Sequence, residues 1–211
     1  MSRRVPETFS GASLWQSRFL SVQKLWAFIQ RDRLTLRPVL AVLVNVPNGD
    51  PAKVARHLQG YASLPSDLAA QLYEFFHATD GPLDKRRGDV VELVTWHHGP
   101  FWISRHGEAL HKWHDARYRG LPGEQKTVDV AFQVQSRCEA VECKVSVTNW
   151  VKKDSKAPAK ITFMNQVRVS MANDTVITQH WVGYATAEDS VAPSVQDTLG
   201  GLILTAEDLA R

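Results

Sequence analysis

Thr127-Val128-Asp129-Val130-Ala131-Phe132-Gln133-Val134 is the stretch that decides the fold. Val128, Val130, Phe132 and Val134 recur at every second position, the period of a strand with one face buried. Working toward the C-terminus, the same spacing is read in Val145, Val147 and Val151, then in Ile161, Phe163, Val167 and Val169. A last strand is expected from about Thr175 to Ala185, entered through the turn Asn173-Asp174. Four such runs predict an antiparallel meander, buried on one face. Lys152 to Lys160, with Pro158, reads as a solvated loop between strands. Residues 190–211 read as a tail, with a short helix at Ala206 to Arg211.

Toward the N-terminus the pattern is helical. Ser13 is expected to cap a helix to about Arg31, with Leu14, Trp15, Phe19, Val22, Leu25, Trp26 and Ile29 in one stripe. Leu36 to Val46 reads as an apolar strand between Pro38 and the turn Pro47-Asn48-Gly49. Asp50-Pro51 is a helix start, a capping carboxylate followed by proline at the first helical position, and that helix ends near Gly60. A second helix is expected from Ser66 to Asp80-Gly81-Pro82. Asp84 to Asp89 reads as a polar turn and Val90 to His98 as a strand. Gly107 to about Tyr118 reads as a helix ended by Gly120 and Pro122. The expected class is α+β.

The chain has 211 residues and a net charge of +3, too small an excess to argue for nucleic acid. The excess is uneven: residues 1–37 hold seven Arg and Lys against two acids. Two cysteines, Cys138 and Cys143, make no disulfide framework and point to a reducing compartment. No apolar run reaches the roughly 18 residues that a membrane span needs. A soluble, cytoplasmic protein is therefore expected.

Five of the eight histidines, His97, His98, His106, His111 and His114, fall within eighteen residues. His111 and His114 are spaced i, i+3 on the expected helix, near Glu108 and Asp115, which would let them share a metal ligand site. The spacing matches no recognised metal motif, and the expectation is a solvated helix face with no metal and no cofactor.

Three stretches carry a family resemblance. Leu72-Tyr73-Glu74-Phe75-Phe76-His77-Ala78-Thr79-Asp80 is a helix ending in an aspartate. Val94-Thr95-Trp96-His97, Gly107-Glu108-Ala109-Leu110 and Leu121-Pro122-Gly123 follow as strand, helix start and turn. Asn173-Asp174-Thr175-Val176-Ile177 and Trp181 form the last hairpin. Together they resemble the nuclear transport factor two-like superfamily, in particular its SnoaL-like branch, over about residues 66–188. The resemblance implies a cone-shaped roll, a curved antiparallel sheet packed on helices around a pocket. Residues 1–65 would be an N-terminal helical extension and 189–211 a tail.

The resemblance further implies a lyase, isomerase or cyclase using cofactor-free acid/base chemistry on a small apolar or hydroxylated substrate, and a homodimer. Nucleic acid is not expected as a partner. Trp96, Trp113 and Trp181 would wall the pocket. His98, sharing a strand face with Trp96 and Glu92, would handle protons, because imidazole titrates near neutral pH. His180 and Tyr184 would form a second acid/base pair on the last strand, and Asn149 and Asn165 would polarise a carbonyl. Enzymes of that family rely on a pocket aspartate. Here the meander offers Asp129 well inside the pattern, with Glu92 as the other acid. The alternative is a non-catalytic ligand-binding or assembly module that dimerises and docks through its aromatic N-terminal helix.

Overall fold

The structure, a computed structural model, describes residues 7–46, 51–61, 64–121 and 124–211. The expected turn Pro47-Asn48-Gly49, the capping Asp50, the stop at Pro122-Gly123 and the basic pair Arg3 and Arg4 lie outside the described residues.

The elements in order are β1 (Phe9–Ala12), α1 (Leu20–Arg31), a 3-10 turn (Arg33–Thr35), α2 (Leu36–Asn45), α3 (Pro51–Gly60), α4 (Ser66–His77) and α5 (Leu83–His98). They continue with β2 (His111–Tyr118), β3 (Val128–Val134), β4 (Arg137–Lys144), α6 (Val147–Lys153), α7 (Ala157–Ala172), β5 (Gln179–Thr186), α8 (Pro193–Leu199), β6 (Leu202–Leu204) and α9 (Ala206–Leu209). The strands form one open sheet in the order β1-β2-β3-β4-β5-β6. Neighbours are antiparallel as far as β4. β5 then lies parallel to β4, and β6 parallel to β5. Parallel neighbours need a long return path, and α6–α7 and then α8 provide it.

Helices cover both faces. On one, Val130, Phe132, Val141 and Cys143 pack with Val90, Val91 and Val94 of α5, and α1, α2 and α4 join the same core. On the other, Ala131, Ala140, Val182 and Tyr184 pack with Trp150 of α6 and Phe163, Met164 and Val167 of α7. The α+β class stands, but the four-strand meander does not: β4 and β5 run parallel, with two helices between them.

Five expected elements are of the other type. Leu36–Asn45 is helical, and Pro38, its third residue, falls where a helix needs no N–H donor. Val90–His98 is the second half of α5, whose buried Val90, Val91, Leu93, Val94 and Thr95 surround the axis because sheet and helices enclose it. Residues 111–118 are a strand, its buried Trp113, Ala116 and Tyr118 facing β1 and β3 neighbours. The run Val145, Val147, Val151 is α6 and its lead-in, capped by Ser146, whose side chain accepts the Asn149 N–H. Residues 161–169 lie in α7, which buries Phe163, Met164, Val167 and Met171.

The N-terminal helix begins at Leu20, not at Ser13. Val22, Leu25 and Ile29 are buried in the main core, so its stripe is not a free docking arm. Residues 1–65 contribute β1 to the sheet, and the region read as a tail contributes α8, β6 and α9.

Candidate active site

β3 and β4 pair in register at Val130 and Val141. One step on along each strand lie Asp129 and Glu142, and there the regular pairing gives way. The Cys143 N–H donates to the Asp129 carboxylate at 2.7 Å. Glu142 and Lys144 are two apart, so they leave β4 on the same face, toward α6 and α7. The Lys144 ammonium donates to Glu142 Oε1 at 2.6 Å and to the Cys143 carbonyl at 2.8 Å, and lies 3.5 Å from Asp129 Oδ2. Lys160 from α7 reaches the other Glu142 oxygen at 2.8 Å and donates to the Thr127 carbonyl at 2.7 Å. The ring of Trp150 lies 5.3 Å from the Lys144 nitrogen.

A second pair adjoins this one from the α5 side. His114 Nε2 and Glu92 Oε2 are 2.8 Å apart. Asp115, at φ 48°, sits where the β1–β2 register shifts between Ser10 and Ala12. Such a bulge re-aims the side chains beside it. Trp15 stacks on the His114 ring at 4.6 Å, and Ser17 donates to Asp89 at 2.5 Å. The segment before α1 therefore lies across this end of the sheet.

The electrostatics follow from burial among like charges. Burial first, then the negative charge of Asp129, holds the Glu142 carboxyl up at about 7, against the pull of Lys144 and Lys160. Burial also raises the Glu92 carboxyl, with Asp129 and Asp89 adding to it and the His114 bond opposing. Burial works against the charged forms of His114 and Lys144. In each the neighbouring carboxylates win, Glu92 for His114 and Asp129 with Glu142 for Lys144, so both pKa values are raised. Asp89 is raised by burial.

Of the expected site residues, Glu92 and Asp129 come together here. The others do not. His98 lies at the C-terminal end of α5, its ring 6.3 Å from Trp26, beside an open cleft of about 540 Å³. Trp96 lies on α5 beneath the Lys112 ammonium, and Trp113 is buried in the opposite core. His180 and Trp181 are half-buried at the start of β5. Tyr184 is four residues further on, about 13 Å along the strand, and fully buried with its hydroxyl unpartnered. Asn165 is exposed on α7. Asn149 is exposed on α6 and lines a cleft next to Lys144. His111 and His114 are three apart on a strand, not a helix, so they do not share a face as expected. Both cysteines are free.

Glu142, Lys144 and Lys160 were missed. The available signal was Glu139-x-x-Glu142-x-Lys144 set among Cys138, Ala140, Val141 and Cys143. Acids inside an apolar run need partners, and their partners then mark a site.

Among the described residues no three of His, Cys, Asp and Glu converge to form a ligand cage, and no helix is long and apolar enough to cross a membrane. Sequence comparison finds no family model and no curated protein that matches this chain.

Proposed function

We propose that this chain hydrolyses phosphodiester bonds of nucleic acid, using a divalent cation held by Asp129 and Glu142. One observation carries the reading: two carboxylates from neighbouring strands meet a lysine within 3.5 Å where the parallel half of the sheet begins. The carboxyl ends of such strands are where open α/β sheets bind ligands.

The residues fit a hard cation. Mg²⁺ is held by one or two carboxylates, keeps several waters and takes phosphate oxygens from the substrate. Two carboxylates suffice for that, whereas a zinc site draws three or four protein ligands. When bound, the cation supplies a Lewis acid for the phosphoryl oxygens. Lys144, held protonated, neutralises the charge that builds on the phosphoryl group. Glu142 serves as a ligand, so the attacking water gives its proton to solvent. The water oxygen bonds to phosphorus, the bond to the leaving ester oxygen breaks, and that oxygen takes a proton from solvent. The products are a phosphate monoester and an alcohol.

A purely structural role accounts poorly for the cluster. Buried ion pairs are commonly replaced by apolar residues at no loss of stability. Lys152, Lys153 and Lys156 stand exposed beside the site, and such lysines suit a polyanion. Net charge alone hides this local excess, which is why nucleic acid was not expected from the sequence. The cofactor-free acid/base reading needs His98, His180 and Tyr184 around one pocket, and they lie apart. Two of its supporting stretches also fall on other structure: Val94–His97 on α5, and Gly107–Leu110 outside any element.

The test is cleavage of labelled DNA and RNA oligonucleotides with Mg²⁺ or Mn²⁺ and with EDTA. The wild-type chain should cut only with the cation, and Asp129→Asn should cut at least about a hundredfold more slowly. Equal cleavage by Asp129→Asn, or by the wild type in EDTA, rejects the reading.

A further inference from the structure

Beside Lys144 opens a cleft of about 580 Å³ between α2, α5 and α6. Its volume is that of a small-ligand site. The wall is partly apolar, from Leu43 and Val44 of α2 and Trp150 of α6. Donors stand among these surfaces: Arg87 from α5, with Asn149 and Lys153 from α6. Asp84 and Asp154 also line it, so two acids face three cations once Lys144 is counted. A diffuse positive field does not explain such a cleft; individual donors beside an apolar wall do.

Arg87 is the second, independent observation. Its side chain is only 8% exposed and lies over the Phe76 ring. One terminal nitrogen donates to the Val46 carbonyl. Its Nε is buried and has no partner among the described residues. A buried donor left unmade is unfavourable, so it calls for an acceptor. Arg87 also lines the cleft, so a phosphate or base oxygen seated there would meet the same guanidinium.

Resting on the phosphodiester reading, we infer that this cleft seats the nucleotide adjoining the bond to be cut, and that this nucleotide must be unpaired. A base inside a duplex offers only its edges to a protein. To lie against Leu43, Val44 and Trp150 it has to leave the stack, which is cheapest for a strand that is already single. The substrate class is therefore single-stranded nucleic acid, or the single-stranded end or loop of a duplex.

The experiment compares a labelled single strand with the same sequence as a blunt duplex, and both with bis(p-nitrophenyl) phosphate, which has no base to seat. Asn149→Ala changes one exposed side chain of α6 that lines the cleft and lies outside both the carboxylate–lysine cluster and the exposed lysines. The wild type should cut the single strand at least about tenfold faster in kcat/KM than the duplex. The variant should raise KM on the single strand about fivefold, the loss of one hydrogen bond. Its kcat and its rate on bis(p-nitrophenyl) phosphate should stay within about twofold. Equal cutting of both forms, or an unchanged KM, overturns the inference and leaves the phosphodiester reading standing. No hydrolysis of any of the three with Mg²⁺ or Mn²⁺ overturns both.

Discussion

Glu142 sets the chemistry of this molecule at the residue scale. Its carboxyl, buried and facing Asp129, titrates at about 7, so at neutral pH it is half protonated. A cation must displace that proton. Cation affinity should therefore rise about tenfold per pH unit up to pH 7 and level off above it, as read by calorimetry with Mn²⁺. An affinity independent of pH between 5.5 and 7 would exclude Glu142 as a ligand. Lys144 gives a sharper test, because its ammonium occupies the same two carboxylates that the cation needs. Lys144→Met should tighten cation binding and at the same time lower kcat about a hundredfold. A variant that weakens both would mean that the lysine only props the site. At this scale Asp129 and Glu92 were legible as acids among apolar neighbours. Glu142 and Lys144 were not, because residues 137–144 carry no clean alternation and were assigned to no element.

At the scale of elements, one buried carboxylate holds a loop in place. Glu139 on β4 is fully buried and accepts the N–H groups of Phe101, Trp102 and Ile103 at 2.5–3.0 Å. Glu139→Ala would leave three donors unpaired and should cost about 3 kcal/mol or more in urea unfolding. Glu139→Gln, which keeps one acceptor oxygen, should cost less. A loss below about 0.5 kcal/mol for the alanine variant would show that water replaces the carboxylate. The misread elements share one physical cause. α2 is apolar over most of its length, and α5 buries Arg86, Arg87 and Thr95 alongside its valines, so in both the apolar stripe that marks a surface helix is blurred. Val90, Glu92, Val94 and Trp96 then pass for alternation. In α7 the choice rested on Ile161, Phe163, Val167 and Val169, while Met164 and Met171, which complete the helical spacing, were left out. β3, whose neighbours in the sheet are both strands, kept its period-two signal intact.

At the scale of the whole molecule, the expected division into extension, domain and tail is crossed by packing. Phe9 near the N-terminus is fully buried on the sheet, and Ala206 and Leu209 near the C-terminus sit in the core formed by α1, α2 and α5. The distinction can be tested by ending the chain at Ala192. That removes α8, β6 and α9, leaves one side of β5 without its neighbour, and takes away the buried Val195, Leu199, Leu204 and Leu209. Four such side chains, at about 1.5–3 kcal/mol each, amount to about 6–12 kcal/mol. That is comparable to the entire stability of an ordinary domain, about 5–15 kcal/mol. The shortened chain should therefore show no cooperative thermal transition by circular dichroism at 222 nm, and it should be degraded rapidly by protease. A removable tail would leave the melting curve where it was, and the sheet would then have to be complete at β5. The same deletion separates fold from site, because Asp129, Glu142 and Lys144 all precede Ala192. If the closing strand is what holds β4 and β5 side by side, the truncated chain should lose cation binding along with its melting transition, although every proposed ligand is still present.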